Sequence, residues 1–284
     1  MKNFEGRVAV ITGGASGIGL ALAHRFGGVG MKVVVGDVEK ASLDTAIFDL
    51  RDKGIDAHGI PCDVTSANDV QALADGAIEL FGGVNIFCNN AGVGAGGLSW
   101  EASLSMWEWV IGVNLWGVIH GIRSFVPLLL GQDEAHIVNT ASVAGLVSAP
   151  MMGPYNASKH AVVALSETLH HEFALTGASV GVSVLCPGWV RTKIATSERN
   201  RPDHLAAEPS SVDSVSGEIA SSVIAGMIES GMQPNAVADK VLQAVTDRQF
   251  WVLTHDEDDM WMRAVNSKVE SLLSRDNPVM NLLG

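Results

Sequence analysis

The chain has 284 residues, 47% of them hydrophobic and 17% charged, so it can bury one large core, and we read 1–284 as a single domain. A formal charge of −13 with no Lys/Arg cluster excludes a surface that tracks nucleic-acid phosphates, and no run reaches the roughly 18 to 20 consecutive apolar residues of a membrane span. Cys62, Cys88 and Cys186 stand far apart in apolar surroundings and His120, His136, His170 and His171 form no ligand motif, so no metal site is expected and the thiols read as small core side chains.

A strand pattern opens near 7–12, with no basic head or cleavage site of a signal peptide before it, and a cytoplasmic location is the expectation. Thr12-Gly-Gly-Ala-Ser-Gly-Ile-Gly19 follows directly and leads into a helical pattern at Leu20. Gly13, Gly17 and Gly19 permit a tight turn and close backbone approach, while the helix start offers N–H groups to a pyrophosphate. The second strand, near 32–37, ends at Asp37, about twenty residues beyond the loop, where a carboxylate accepts hydrogen bonds from ribose hydroxyls. A 2′-phosphate would meet like charge there, and Val38 follows where an arginine would be needed to offset it, so the reading is NAD.

Further strands fall near 56–61, 84–88, 134–140, 179–185 and 250–253, separated by helical patterns. Several are apolar at consecutive positions, as strands covered on both faces require, which gives an α/β, three-layer, doubly wound parallel sheet of about seven strands. Trp100, Trp107 and Trp109 are read as helix packing or interface. Tyr155 and Lys159 lie four apart, hence on one face if 155–174 is helical. Residues 193–233 are too long for an ordinary connection and read as a substrate lid, and Asp256 to Leu273 reads as a helix behind an acidic cap, within a C-terminal extension over about 256–284.

Taken in order, the glycine loop, Asp63-Val64, Asn89-Asn-Ala-Gly92, Asn114, Ser142, Tyr155-x-x-x-Lys159 and Pro187-Gly-Trp-Val-Arg-Thr192 resemble the short-chain dehydrogenase/reductase family, in its NAD-preferring branch with an extended substrate loop and C-terminal helix. The resemblance implies a Rossmann fold. It also implies a catalytic tetrad of Asn114, Ser142, Tyr155 and Lys159, with Lys159 also holding the cofactor ribose and Asn114 anchoring a water. Ser16 and Ile18 would touch the pyrophosphate, Asp63, Val64, Asn90, Ala91 and Gly92 the adenosine side, and Pro187, Gly188, Val190 and Thr192 the nicotinamide. A homodimer or homotetramer built on the helices that carry Asn114 and Tyr155 is implied as well.

The chemistry is coherent with that set. Hydride transfer to a ketone builds charge on oxygen, and Tyr155 and Ser142 are the donors for it. Bringing a phenol from about pH 10 to about 7 needs about 4 kcal/mol. One ammonium about 4 Å away supplies about 1 kcal/mol in water and about 4 kcal/mol at a protein-like dielectric, so the cleft must be largely closed. Val93, Val143, Met151, Met152 and Trp189 are the expected substrate wall, suited to a hydrophobic, aromatic or alicyclic secondary alcohol. An NADPH-linked carbonyl or 3-oxoacyl reductase, and a non-catalytic cofactor-binding protein, are the alternatives.

Overall fold

The computed structural model describes residues 1–94, 96–206, 222, 224–255 and 260–278. Seven parallel strands form one sheet: β1 Val8–Thr12, β2 Lys32–Asp37, β3 Ala57–Pro61, β4 Ile86–Asn89, β5 Ala135–Thr140, β6 Val180–Cys186 and β7 Trp251–Leu253. Their spatial order is β3-β2-β1-β4-β5-β6-β7. The chain therefore runs outward from β1 to one edge, returns beside β1 at β4, and proceeds to the other edge. That reversal leaves a crevice above the carboxyl ends of β1 and β4.

The consecutive apolar residues of the strands serve two cores, because successive side chains point to opposite faces. Ala9, Ile11, Val33, Val35, Ile86, Cys88 and Val138 pack with α1 (Gly17–Gly27), α2 (Lys40–Asp52) and α7 (Pro234–Asp247). Their neighbours Val8, Val10, Val34, Phe87 and Ile137 pack on the other face with α3 (Ala67–Phe81), α5 (Gly117–Leu130) and α6 (Gly153–Thr176). Phe87 and Phe125 stack across this second interface with ring centroids 3.7 Å apart. A buried polar thread locks the same layer: Asn89 donates to Asn139 (2.9 Å), Asn139 to Ser166 (3.0 Å), and Ser166 to the Val162 carbonyl (2.7 Å). With each donor matched, the thread fixes β4, β5 and α6 in one register at little cost.

α4 (Leu104–Ile111) continues through a wide π turn, Gly112–Trp116, into α5. The combined Leu104–Leu130 helix is long and apolar enough to cross a membrane, although the sequence shows no unbroken apolar run, and it packs its inner face on the sheet through Val118, Gly121, Phe125 and Leu129. Its outer face leaves Leu104, Trp116 and Leu130 exposed.

Of the expected lid over 193–233, short helical turns at Lys193–Asn200 and Asp203–Leu205 and a helical stretch over 224–229 are described; 207–221 and 223 lie outside the described residues. The tail forms α8 (Met260–Ser274), while the acidic stretch 256–259 and the end of the chain, 279–284, also lie outside them. All three cysteines are free and buried, and burial pushes the Cys62 and Cys186 thiols up to about 12, so they are inert.

Candidate active site

A cavity of about 1070 Å³ opens above the carboxyl ends of the strands, lined by residues that follow β1 through β6 in turn. Its floor is the loop after β1. Gly13 has φ +62°, and a Cβ there would lie 2.7 Å from the Ala91 Cα; one on Gly19 would lie 2.2 Å from the Gly13 carbonyl oxygen. Neither position admits a side chain, because the loop is pressed onto the segment after β4. The Thr12 hydroxyl accepts from the Asn90 and Ala91 N–H groups (3.0 and 3.2 Å), and the Asn90 amide donates to the Thr12 and Gly13 carbonyls (3.0 and 3.2 Å). α1 then starts at Gly17, and its N-cap residue Ser16 makes no side-chain cap, which leaves first-turn N–H groups for an anion.

Asp37 closes β2 at the cavity wall. Its carboxylate accepts from the Ala15 N–H and the Glu39 N–H, each at 3.0 Å, which holds it in place beside the exposed Val38. Glu39, which the sequence reading passed over, also lines the cavity. Its carboxylate accepts from Arg199 (2.7 Å) and Asn200 (2.8 Å) of the lid base. Burial pushes this carboxyl up, but the hydrogen bonds from Asn200 and Arg199 and the Arg199 charge outweigh it and hold Glu39 below its ordinary value. Asp63 and Val64 line the same end, where the Val64 carbonyl accepts from His120 Nδ1 at 2.9 Å.

At the other end Tyr155 sits in the first turn of α6, just after Pro154, whose fixed φ suits a helix start, and Lys159 follows one turn later; both are buried. The Lys159 ammonium lies 5.6 Å from the centre of the Tyr155 ring and donates to the Thr140 carbonyl at 2.9 Å. Ser142 caps the turn Val143–Gly145 by accepting from the Ala144 N–H (3.1 Å), its hydroxyl donates to the Pro187 carbonyl (3.3 Å), and it stands close enough to the Tyr155 phenol to favour the phenolate. Asn114 is fully buried in the π turn, a distortion frequent at functional sites. Its amide takes the Val93 N–H (2.8 Å) and donates to the Val93 carbonyl (3.0 Å) and the Ser158 hydroxyl (3.2 Å). Asn114 therefore stands behind the cavity wall, tying the loop after β4 to α6.

The electrostatics depart from the sequence expectation in one respect. Burial pushes the Tyr155 phenol up, against the pull of Ser142, and burial lowers Lys159 to about 8. The ammonium alone does not acidify the phenol, because the closed cleft that strengthens their attraction also penalises both charges.

Of the expected substrate residues, Val93, Val143, Met152 and Trp189 line the cavity. Met151 does not: it takes a left-handed φ of 62°, and its carbonyl accepts from the Gly97 N–H at 2.7 Å, which places it at the rim as a backbone anchor. Gly19 lies beneath the floor, so its part is to admit the loop contact. The remaining cofactor positions, Gly13, Ser16, Gly17, Ile18, Ala91, Gly92, Pro187, Gly188, Val190 and Thr192, all line the cavity. Trp109 both packs with Val93, Met106 and Val110 and borders the cavity, under the Arg201 guanidinium at 5.5 Å, whereas Trp100 is exposed. Trp261 of α8 lines the cavity too, and no local pattern announced it.

The chain belongs to the short chain dehydrogenase family, whose model matches residues 7–203. It is similar over 99% of both chains to a short chain dehydrogenase/reductase from Burkholderia phymatum crystallised in complex with NAD, at 46% identity and a TM-score of 0.94. It is 33% identical to the C alpha-dehydrogenase of Sphingobium sp., over 90% of this chain and 83% of the relative. A variant of actinorhodin polyketide ketoreductase with NADPH matches 89% of this chain and 97% of its own, at 32% identity and a TM-score of 0.73. Both nicotinamide cofactors thus occur among the similar structures.

Proposed function

We propose that the protein is an NAD-dependent oxidoreductase that interconverts a hydrophobic secondary alcohol and its ketone. The observation that carries this reading is the placement of a buried Tyr155–Ser142 pair, with Lys159 one helical turn away, in the same cavity that Asp37 closes at its far end. The fit to a dinucleotide rests on the side-chain-free floor at Gly13, the uncapped start of α1, and a volume large enough for cofactor and substrate together.

Asp37 accepts the ribose hydroxyls and repels a 2′-phosphate, and the neighbouring Glu39 adds a second negative group on that side. When bound, oxidised nicotinamide accepts the hydride and brings a positive charge to the reacting end. Tyr155 takes the alcohol proton in the oxidative direction and returns it in the reductive one. Ser142 hydrogen-bonds the substrate oxygen, and Lys159 holds the ribose and favours the phenolate. Asn114 is a positioning residue that sets the Val93 loop against α6. A homo-oligomer formed through α5 and α6 in the cytoplasm completes the reading, supported by the apolar outer face of the Leu104–Leu130 helix.

Steady-state turnover of a panel of secondary alcohols with NAD and NADP in parallel tests the proposal. Tyr155→Phe should lower kcat by about 10²- to 10⁴-fold while NAD still binds. Near-normal turnover by that variant, or activity with NADP alone, overturns it.

A further inference from the structure

We infer that α8 builds the substrate-selective wall of the reaction pocket and that Trp261, paired with Trp189, selects an aromatic ring on the substrate over a saturated one. The inference rests on the dehydrogenase reading above and goes beyond it, since that reading leaves aromatic and alicyclic alcohols equal. α8 lies outside the residues 7–203 that match the family model.

Three observations place Trp261 in that wall. Its side chain is 5% exposed and lines the cavity that also holds Ser142 and Tyr155. Trp261, Ala264, Val265 and Lys268 share one face of α8 by their spacing of three, four and seven, and that face docks on Val143 and Val147, just beyond Ser142. Lys268 fastens the far end of the face: its ammonium donates to the Leu146 carbonyl at 2.7 Å and meets His160 Nε2 at 3.1 Å, while His160 Nδ1 donates to the Asn156 carbonyl. The helix is thus pinned to the turn after β5 and to α6, the two elements that carry Ser142 and Tyr155.

The rings of Trp189 and Trp261 pack against each other at a tilt, with centroids 5.8 Å apart and planes at 58°, and both border the cavity. A planar ring seated there meets one indole by its face and the other by its edge, the arrangements that aromatic quadrupoles favour, whereas a cyclohexyl group of similar size gains only dispersion. Val143, Val147, Met152 and Ile228 complete this side of the cavity with apolar surface. The selected substrate class is therefore a neutral secondary alcohol, or its ketone, with an aryl group adjacent to the carbinol carbon.

The test is the ratio of kcat/KM for 1-phenylethanol to that for 1-cyclohexylethanol, because a ratio cancels general losses. The natural chain should favour the phenyl compound by about threefold to tenfold. Trp261→Leu should bring the ratio to about one, and Trp261→Phe should restore most of it; thermal melts show whether each variant is folded. Should Trp261→Leu not fold, the Trp261→Phe variant and the natural ratio still decide. A natural ratio near one, or a ratio that Trp261→Leu leaves unchanged, overturns the inference while the dehydrogenase reading stands. Turnover of neither alcohol, with other secondary alcohols oxidised, overturns it as well. Absence of NAD-linked turnover across the whole alcohol panel removes the underlying reading and the inference together.

Discussion

At the scale of single residues, the protein contains one tyrosine, so the absorbance of tyrosinate reports on Tyr155 alone. Burial raises its phenol, and the expected titration of the free chain lies above the ordinary value of about 10. Saturating NAD should move that titration down, because a positive ring charge adds to the pull of Ser142. An unchanged midpoint would remove the electrostatic basis of the acid/base role. Asp37 carries a second expectation. Asp37→Ala should weaken NAD binding and reduce discrimination against NADP, measured as the ratio of the two kcat/KM values, and an unaltered ratio would count against its ribose role. These residues were legible in the sequence because each belongs to a motif whose spacing is itself mechanical: a carboxylate at a strand end, a phenol and an amine one helical turn apart. Glu39 was not legible. It lies two residues past Asp37, yet its partner Arg199 is 160 positions away, and no local pattern announces such a pairing.

Among the elements, the lid base and the loop after β2 are joined by that Glu39–Arg199 pair, whose side chains are only 26% and 33% exposed. The segment straps across the adenosine end of the cavity and should slow cofactor release. Pairs of this exposure contribute up to about 1 kcal/mol, so Arg199→Ala should speed NAD dissociation by up to about fivefold. Stopped-flow release rates for Arg199→Ala, Glu39→Gln and the double variant check this: the double should exceed neither single, and additive effects would deny the contact. The strands were readable from apolar runs, and all seven fall within about two residues of the positions expected, in keeping with the usual uncertainty of element ends. The π turn at Gly112–Trp116 was not readable, since its residues fit an ordinary helix and the distortion comes from the packing of Asn114 against Val93 and Ser158. The reach of α8 into the pocket was equally hidden, because an amphipathic helix states that one face is covered and not by what.

Across the whole molecule, acid sensitivity should centre on His136, fully buried on β5 beside β6. Its Nε2 donates to Ser183 (2.8 Å), whose hydroxyl donates to the Gln249 carbonyl (2.6 Å), and burial, which penalises the charged ring, lowers it from 6.5 to about 3. With the folded value depressed, the unfolded chain binds the extra proton first. Stability is therefore intact above about pH 6.5 and is lost as pH falls toward about 3, by at most about 1.4 kcal/mol per pH unit from this group. Denaturant midpoints measured at successive pH values should decline over that window, and less steeply in His136→Asn; equal slopes would place the sensitivity elsewhere. The doubly wound parallel sheet followed from the alternation of strands and helices, whereas the order of its strands and the depth of the cavity depended on contacts between distant segments. The π turn has a last consequence of its own. It lets the Leu104–Leu130 helix absorb one surplus residue within a single turn, so that the half bearing Trp109 and the half bearing Phe125 keep the phase of one continuous helix. Losing one residue there would leave a regular helix in the same phase but without the widened turn that carries Asn114 to Val93 and Ser158, whereas a residue lost elsewhere in the helix would turn one half by about 100° against the other.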